Sequence, residues 1–209
     1  MTALAQALPR PERRAGRLAF DAAVVVSGSL LVAGLAQVAI RLPFTPVPIT
    51  GQTLGVLLVG TAFGWVRGGL ALALYLAQIA ADLPFAAEGQ GGLETLTLAK
   101  ASGGYLWGFL LAGVLMGWLA NRGWDRRLRS SISVMLLGSV VIYLVGIPWL
   151  MASLGVPLHS ASACDLSTGA GCDALELGLY PFVIGDLLKL LLAAGLLPAA
   201  WRLMRPGRG

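Results

Sequence analysis

The most chemically informative side chains of the sequence are Asp186 and Lys189, two opposite charges inside the apolar stretch 179–201. Residues three positions apart lie on one helix face, so both side chains point the same way, in line with Phe182 and Ala193. A charge at the centre of a bilayer costs about 2.5–3.5 kcal/mol on insertion scales, which makes both groups candidates for function. Such a face suits a ligand with a hydrogen-bonding head and an anionic tail. The alternative is that the two charges only neutralise each other where helices pack.

The composition indicates that this pair lies in a membrane. Hydrophobic residues make up 57% of the 209 positions and charged residues 12%, and the mean hydropathy is +0.79, whereas soluble domains have about 25% charged residues. A spanning helix needs about 20 apolar residues. We therefore predict a compact, all-α bundle of six transmembrane helices, with spans at 19–40, two within 50–82, and at 104–120, 131–153 and 179–201. The turn between the second and third spans is expected at Trp65–Gly69, with Arg67 as a positive anchor.

The basic residues predict the orientation, because cytoplasmic loops are enriched in Lys and Arg. With the N-terminus inside, twelve of the fifteen basic residues fall on cytoplasmic segments, whereas the outer segments contain Arg41 and Lys100. Residues 1–18 and 202–209 are then basic cytoplasmic tails on either side of a membrane domain at 19–201. Asp186 is expected about 10 Å deep in the outer half of the bilayer. The pI of about 9.8 reflects this topology next to anionic lipid, and no nucleic-acid partner is expected.

Two further segments are expected at the outer face. Three prolines within 43–53 fix an extended path that brings Thr50, Gln52 and Thr53 to the mouth of the bundle. The segment 83–105 is long, rich in glycine and without a clear helical pattern, which is typical of a lid or a binding loop. The alternative for the proline segment is an ordinary stiff loop.

Two small motifs have both a structural and a functional interpretation. Cys164 and Cys172 lie in the last outer loop, where an oxidising environment favours a disulfide. Two free thiols are the alternative. A metal site is not expected, because the nearby His159 would still leave the set of ligands incomplete. In the first span, three small residues form one face that suits either a partner helix or packing within the bundle. These residues are Ser29, Ala33 and Ala36.

Motifs of catalysis and of ATP hydrolysis are absent from the sequence. It contains no Gly-x-x-x-x-Gly-Lys-Ser/Thr loop, no His-Glu-x-x-His and no Gly-x-Ser-x-Gly. A membrane enzyme with Asp186 as acid or base and Lys189 as nucleophile would lack a third catalytic group. A self-sufficient proton-coupled transporter would show inverted repeats or a chain of intramembrane ionisable groups. A protein that binds its ligand without catalysis or cofactor is therefore expected.

Four motifs together resemble the BioY family, the biotin-binding S components of energy-coupling-factor (ECF) vitamin transporters. They are the run 45–53, the Leu83-Pro-Phe and Gly91-Gly92 loop, the run 103–109 and the run 181–189. The resemblance implies a bundle in the inner (plasma) membrane of a prokaryote that captures biotin near the outer face, beneath the loop between helices three and four. It also implies a transmembrane coupling protein and a pair of ABC ATPases as partners, which would use the ATP. An S component for another vitamin and a solitary transporter are the alternatives.

The resemblance also implies roles for individual residues. Asp186 and Lys189 match the polar pair of the family's last helix, where the carboxylate suits a ureido N–H of biotin and the ammonium suits a carbonyl or carboxylate oxygen. Tyr105 is expected to cap or stack on the bicyclic ring. Further expected neighbours of the ligand are Gln52, Gly91, Gly92 and Ser102. Where the family commonly has Gly-Pro-Thr, this chain has Lys100-Ala101-Ser102, which retains a hydroxyl and adds a charge that attracts an anionic vitamin.

Overall fold

The computed structural model describes residues 3–6, 11–160 and 163–203, and this part of the chain is mostly helical. The helices are α1 Arg14–Ala36, α2 Gln52–Ala80, α3 Gly103–Ala120, α4 Leu128–Leu154, α5 Ala174–Gly178 and α6 Tyr180–Leu203. Two short antiparallel strands, β1 Ala39–Ile40 and β2 Ile49–Thr50, pair at the base of the proline segment. Short 3₁₀ turns lie at Leu4–Gln6, Ala87–Gly89 and Leu93–Leu96.

Five helical stretches in the described part are long and apolar enough to cross a membrane: α1, α2, α3, α4, and α5 taken together with α6. Helix α1 begins at Arg14, so it includes the last residues of the predicted N-terminal tail. It ends at Ala36 rather than at residue 40, because the residues that follow turn into β1. Residues 1–2 and 7–10 of the first predicted tail and residues 204–209 of the second lie outside the described residues.

Helix α2 is broken at Gly64, which has φ 78° and ψ 172°. A Cβ atom on Gly68 would lie 3.2 Å from the Cα atom of Gly60, whereas eight residues of a continuous helix span about 12 Å. The segments on either side of the break therefore pack against each other. The break lies one residue before the predicted turn at Trp65–Gly69, since it needs a positive φ that glycine adopts readily.

Arg67 is buried rather than a solvated anchor. Its side chain is 7% exposed, forms an ion pair with Asp21 and donates a hydrogen bond of 3.2 Å to the carbonyl of Ala5. The ring of Phe20 lies 5.6 Å from the guanidinium carbon. A buried cation is tolerated here because each of these neighbours compensates part of its lost hydration.

Small residues allow the helices to approach closely. Ser29, Ala33 and Ala36 are at most 5% exposed, on the side of α1 where a Cβ atom on Gly55 of α2 would lie 3.2 Å from the side chain of Val32. Packing within the bundle is therefore the interpretation that describes these three residues. Burial of these side chains favours this interpretation over a partner-helix face, which stays a prediction.

The predicted binding loop is a folded segment fastened to the helices around it. The Tyr75 hydroxyl donates to the carbonyl of Phe85 at 3.0 Å, and the indole of Trp107 donates to that of Leu96 at 3.0 Å. The indole of Trp149 on α4 donates to the carbonyl of Lys100 at 3.1 Å. Residues 81–102 thus form a cover whose position is set by α2, α3 and α4.

Candidate ligand-binding site

A cavity of about 360 Å³ lies at the end of the bundle that carries the proline segment and the cover. Helices α2, α3, α4 and α6 all contribute to it, and its walls include Val47, Phe109 and Phe182. Five of the residues expected from the sequence line this cavity: Gln52, Ser102, Tyr105, Asp186 and Lys189. Apolar walls around a few polar groups are typical of small-molecule sites, which have volumes of about 300–1,000 Å³.

Asp186 and Lys189 form an ion pair within this cavity, with 2.9 Å between Nζ and Oδ1. Their side chains are 13% and 17% exposed, so both groups have lost most of their contact with surrounding solvent or lipid. The other carboxylate oxygen, Oδ2, accepts a hydrogen bond of 2.5 Å from the hydroxyl of Tyr143. Because an ionised carboxylate has about four lone-pair positions, Asp186 retains acceptor capacity for a donor in the cavity.

Tyr105 is fixed by one contact of its hydroxyl and one of its ring. Its hydroxyl donates a hydrogen bond of 2.8 Å to the carbonyl of Gly178 at the end of α5. Its ring lies edge-on to that of Tyr143, with 6.2 Å between centroids and an interplanar angle of 89°. The two tyrosines thus form an aromatic corner beside Asp186, with little freedom to rotate.

Gln52 serves mainly to organise the start of α2. Its amide nitrogen donates to the hydroxyl of Tyr75, and its amide oxygen accepts from the hydroxyl of Thr50 at 2.9 Å. Because Tyr75 in turn donates to the cover segment, this buried network joins the proline segment to the cover. Gln52 lines the cavity with an amide that already has internal partners.

Lys100 and Ser102 lie just before α3 and line the cavity on its loop side. The side chain of Lys100 is half-buried, and its backbone is fixed by the indole of Trp149. Asp186 and Lys189, in contrast, lie within α6. The cavity therefore has two polar regions, one within the bundle and one beneath the cover.

Gly91 and Gly92 do not line the cavity, so the expectation that they contact a ligand is not supported by their position. A Cβ atom on Gly91 would lie 2.6 Å from the carbonyl oxygen of Leu83, and Gly92 has φ 84°. The amide of Gly92 donates to the carbonyl of Ile79 at 2.8 Å. These contacts need glycine so that the cover can lie tightly against the end of α2.

The last loop is closed by a disulfide between Cys164 and Cys172. Asp173 caps α5 by accepting hydrogen bonds from the amides of Leu175 and Glu176 at 3.0 and 2.9 Å. His159 contacts the same carboxylate at 2.9 Å. This loop is next to the site, because Tyr105 is hydrogen-bonded to the residue that ends α5.

Tyr143 is a site residue that the sequence interpretation missed. It lies on α4 and is half-buried. The signal was present, since a phenolic hydroxyl in the middle of a mostly apolar span needs a polar partner. Nothing in the spacing along the chain indicates that this partner is Asp186, which is 43 positions away.

Comparison with known protein families matches residues 10–206 to the BioY family. The chain belongs to this family. The protein named biotin transporter BioY of Rhizobium etli is 31% identical over 183 residues, which cover 84% of this chain and 86% of that protein. The biotin transporter BioY of Rhodobacter capsulatus is 34% identical over 76% of this chain and 85% of its own length. These BioY sequences confirm the family resemblance inferred from the four motifs.

A solved structure similar to this BioY chain is described as the S-component for biotin from an ECF-type ABC transporter. The TM-score is 0.71, at 22% sequence identity, and the likeness covers 92% of this chain and 95% of that one. The arrangement of helices is therefore similar to that of the solved S-component. Together with the apolar helices, membership of a transporter family indicates a multi-pass membrane protein.

Proposed function

We propose that this chain is the membrane-embedded, biotin-binding S subunit of an ECF-type ABC transporter and captures biotin from outside the cell. The observation that carries the proposal is the Asp186–Lys189 pair within the binding cavity, in a chain whose relatives are named biotin transporters. The geometry favours binding over catalysis, because the pair is held by Tyr143 and by its own salt bridge rather than poised against a nucleophile or a base.

Biotin has two polar ends that correspond to the two polar regions of the cavity. Its ureido ring has N–H donors for the acceptor capacity of Asp186 and a carbonyl for Lys189. Its valerate ends in a carboxylate, which suits the ammonium of Lys100 beneath the cover. Tyr105 and Phe182 line the same cavity and would contact the apolar part of the bicyclic ring. Biotin thus binds with its ring within the bundle and its carboxylate towards the loops.

The same proposal includes the membrane topology. The two segments of α2, which meet at Gly64, are the second and third of six spans, and both termini are cytoplasmic in the inner membrane of a prokaryote. This arrangement places Arg122, Arg126, Arg127 and Arg129 inside, as the positive-inside rule favours. It also places the cavity and its cover at the outer face.

Uptake then depends on partners that this chain does not supply. We expect a transmembrane coupling protein and a pair of ABC ATPases to bind the cytoplasmic end of the bundle and to hydrolyse ATP. The purified chain is expected to release no phosphate from ATP. Phosphate release that persists after rigorous removal of other proteins would contradict this part of the proposal.

The decisive experiment is a binding screen of the detergent-purified chain against the water-soluble vitamins by calorimetry. We expect one biotin site per chain, and no comparable binding of thiamine or riboflavin. The variant Asp186→Asn tests the site. Its control is Asp82→Asn, the same change at an exposed residue that does not line the cavity. A preference for another vitamin would overturn the substrate but not the transporter class.

A further inference from the structure

A second cavity, of about 560 Å³, lies beside the candidate binding site at the loop end of the bundle. We call it the vestibule; its walls include Arg41, Pro43, Pro46, Pro48, Glu88 and Gln90. Four of these, Pro46, Pro48, Glu88 and Gln90, also line the binding cavity. The same side chains therefore form the partition between the two spaces.

One ion pair joins the two sides of this partition. Arg41, at the start of the proline segment, donates from Nε and from a terminal nitrogen to both oxygens of Glu88 in the cover. The side chain of Arg41 is 76% exposed, whereas that of Glu88 is 20% exposed. The guanidinium is therefore accessible to solutes in the vestibule while it holds the cover to the proline segment.

Glu88 also has an uncommon backbone conformation. Its φ is 61°, in the left-handed region that a residue with a side chain seldom adopts. The hydrogen bonds from Arg41 keep the pKa of Glu88 below its ordinary value, so the carboxylate is ionised at neutral pH. A second anion that binds Arg41 would compete directly with Glu88 for the guanidinium.

The charges around the vestibule make Arg41 distinctive. The loop segments 37–51, 81–102 and 155–179 contain six acidic residues, and their Lys and Arg residues are Arg41 and Lys100 alone. One of these two lines the vestibule and the other lines the binding cavity. An anion that approaches this end of the bundle thus meets two basic side chains in succession, each in a cavity.

From this arrangement we infer that the vestibule is a capture site for the carboxylate of the ligand, in which Arg41 exchanges Glu88 for the incoming anion before the ligand passes to the inner cavity. The exchange replaces one carboxylate by another on the same guanidinium, so Arg41 keeps an anionic partner, while the displaced Glu88, whose side chain is 20% exposed, turns to solvent. Glu88 is then released, and the cover loses its ion pair with the proline segment. The inference rests on the proposed function, since it takes biotin as the carboxylate.

The test measures association and dissociation rates of biotin and of its uncharged amide, by stopped-flow fluorescence of the detergent-purified chain at low and high salt. Arg41→Gln is expected to slow association of biotin about tenfold at low salt, to change dissociation less than threefold, and to leave the amide unaffected. Arg41→Lys is expected to retain most of the wild-type rate. Glu88→Gln is expected to accelerate association of biotin, because the competing carboxylate is gone.

The control is Arg129→Gln, which removes an exposed arginine from the opposite end of the bundle and should leave both rates unchanged. Equal slowing of biotin and of the amide by Arg41→Gln would overturn the capture site in favour of a purely structural ion pair. Unchanged association of biotin in Arg41→Gln would overturn it as well. Wild-type protein that binds neither compound contradicts the proposed function itself, and the capture site with it.

Discussion

The hydroxyl of Tyr143 on α4 donates a hydrogen bond of 2.5 Å to Oδ2 of Asp186 on α6. Through the edge-on contact of Tyr143 with Tyr105 on α3, this bond connects three helices at one point of the cavity. The carboxylate is therefore fixed in direction before a ligand arrives. A fixed acceptor loses less conformational entropy on binding than a mobile one, which favours affinity.

Tyr143→Phe is expected to weaken biotin binding by up to about tenfold, because Asp186 loses the donor that fixes its direction, and ordering a mobile side chain on binding costs about 0.5–1.5 kcal/mol. Calorimetry measures the effect. Tyr180→Phe is the matched control, since Tyr180 is 56% exposed and does not line the cavity. Equal affinities of the Tyr143 variant and the wild type would show that Asp186 does not need this donor.

Asp186→Asn and Lys189→Met are each expected to weaken biotin binding at least about tenfold, since each removes a charged hydrogen-bonding partner of the ligand. Lys189→Met also leaves the largely buried Asp186 without its ion pair. We therefore expect it to lower the melting temperature more than the double variant Asp186→Asn/Lys189→Met, which leaves no unpaired charge. A double variant that is less stable than either single variant would contradict this account.

Much of the fold could be predicted from the sequence because a membrane span is a local property. The apolar run 179–201 differs from α6 by a residue or two at each end. Asp186 and Lys189 were detectable for the same reason, since charge inside such a run is costly wherever the run packs. The break in α2 was found only approximately. A glycine that bends the chain is one of 28 glycines, and its φ depends on tertiary contacts.

The rest of the site depends on contacts between distant segments, which one sequence does not encode in readable form. Tyr143 is joined to Asp186 across 43 positions, and Tyr105 to Gly178 across 73. Gly91 and Gly92 stood in a loop that was expected to bind the ligand, but they serve to fit the cover against α2. Composition indicates where glycine is frequent, whereas only the packing shows what the glycine is for.

Gly146→Ala is expected to displace Tyr105, because a Cβ atom at this position would lie 2.5 Å from two atoms of the tyrosine ring. The ring has little room to yield, since its hydroxyl is bonded to Gly178. We expect weaker biotin binding and a lower melting temperature. Overpacking a core lowers the free energy of unfolding by about 1–3 kcal/mol. Gly195→Ala is the control, because no atom lies within 4 Å of a Cβ there. Tight biotin binding by both variants would contradict the expectation.

Removal of the disulfide by Cys164→Ser/Cys172→Ser is expected to destabilise the chain by about 2.5 kcal/mol in the chain-entropy account of a short loop. Biotin affinity should change less, because neither cysteine lines the cavity. Thermal unfolding of the detergent-purified protein, with and without reductant, measures the effect. Reductant should lower the melting temperature of the wild type but not that of the double variant. A drop of similar size in both would show that the reductant acts elsewhere.

Asp173 is expected to make the last loop sensitive to acid. Its side chain is 1% exposed, and burial alone would raise its pKa. The carboxylate accepts hydrogen bonds from the amides of Glu176, Ser160 and Leu175 and from His159. Together these bonds lower the pKa below its ordinary value. Because the folded-state pKa lies below that of the unfolded chain, the stabilisation is complete above about pH 4 and is lost as the pH falls through the lowered value.

The variant Asp173→Asn tests the direction of this pH dependence. At pH 6 it should lower the melting temperature by about 2–4 °C, which corresponds to roughly 1 kcal/mol for loss of a helix cap. The difference from the wild type should shrink as the pH falls below about 4, because protonation removes the same charge from the wild type. Glu94→Gln, an exposed change elsewhere, is the control. A difference between variant and wild type that grows towards acid pH would mean that Asp173 is protonated in the folded chain.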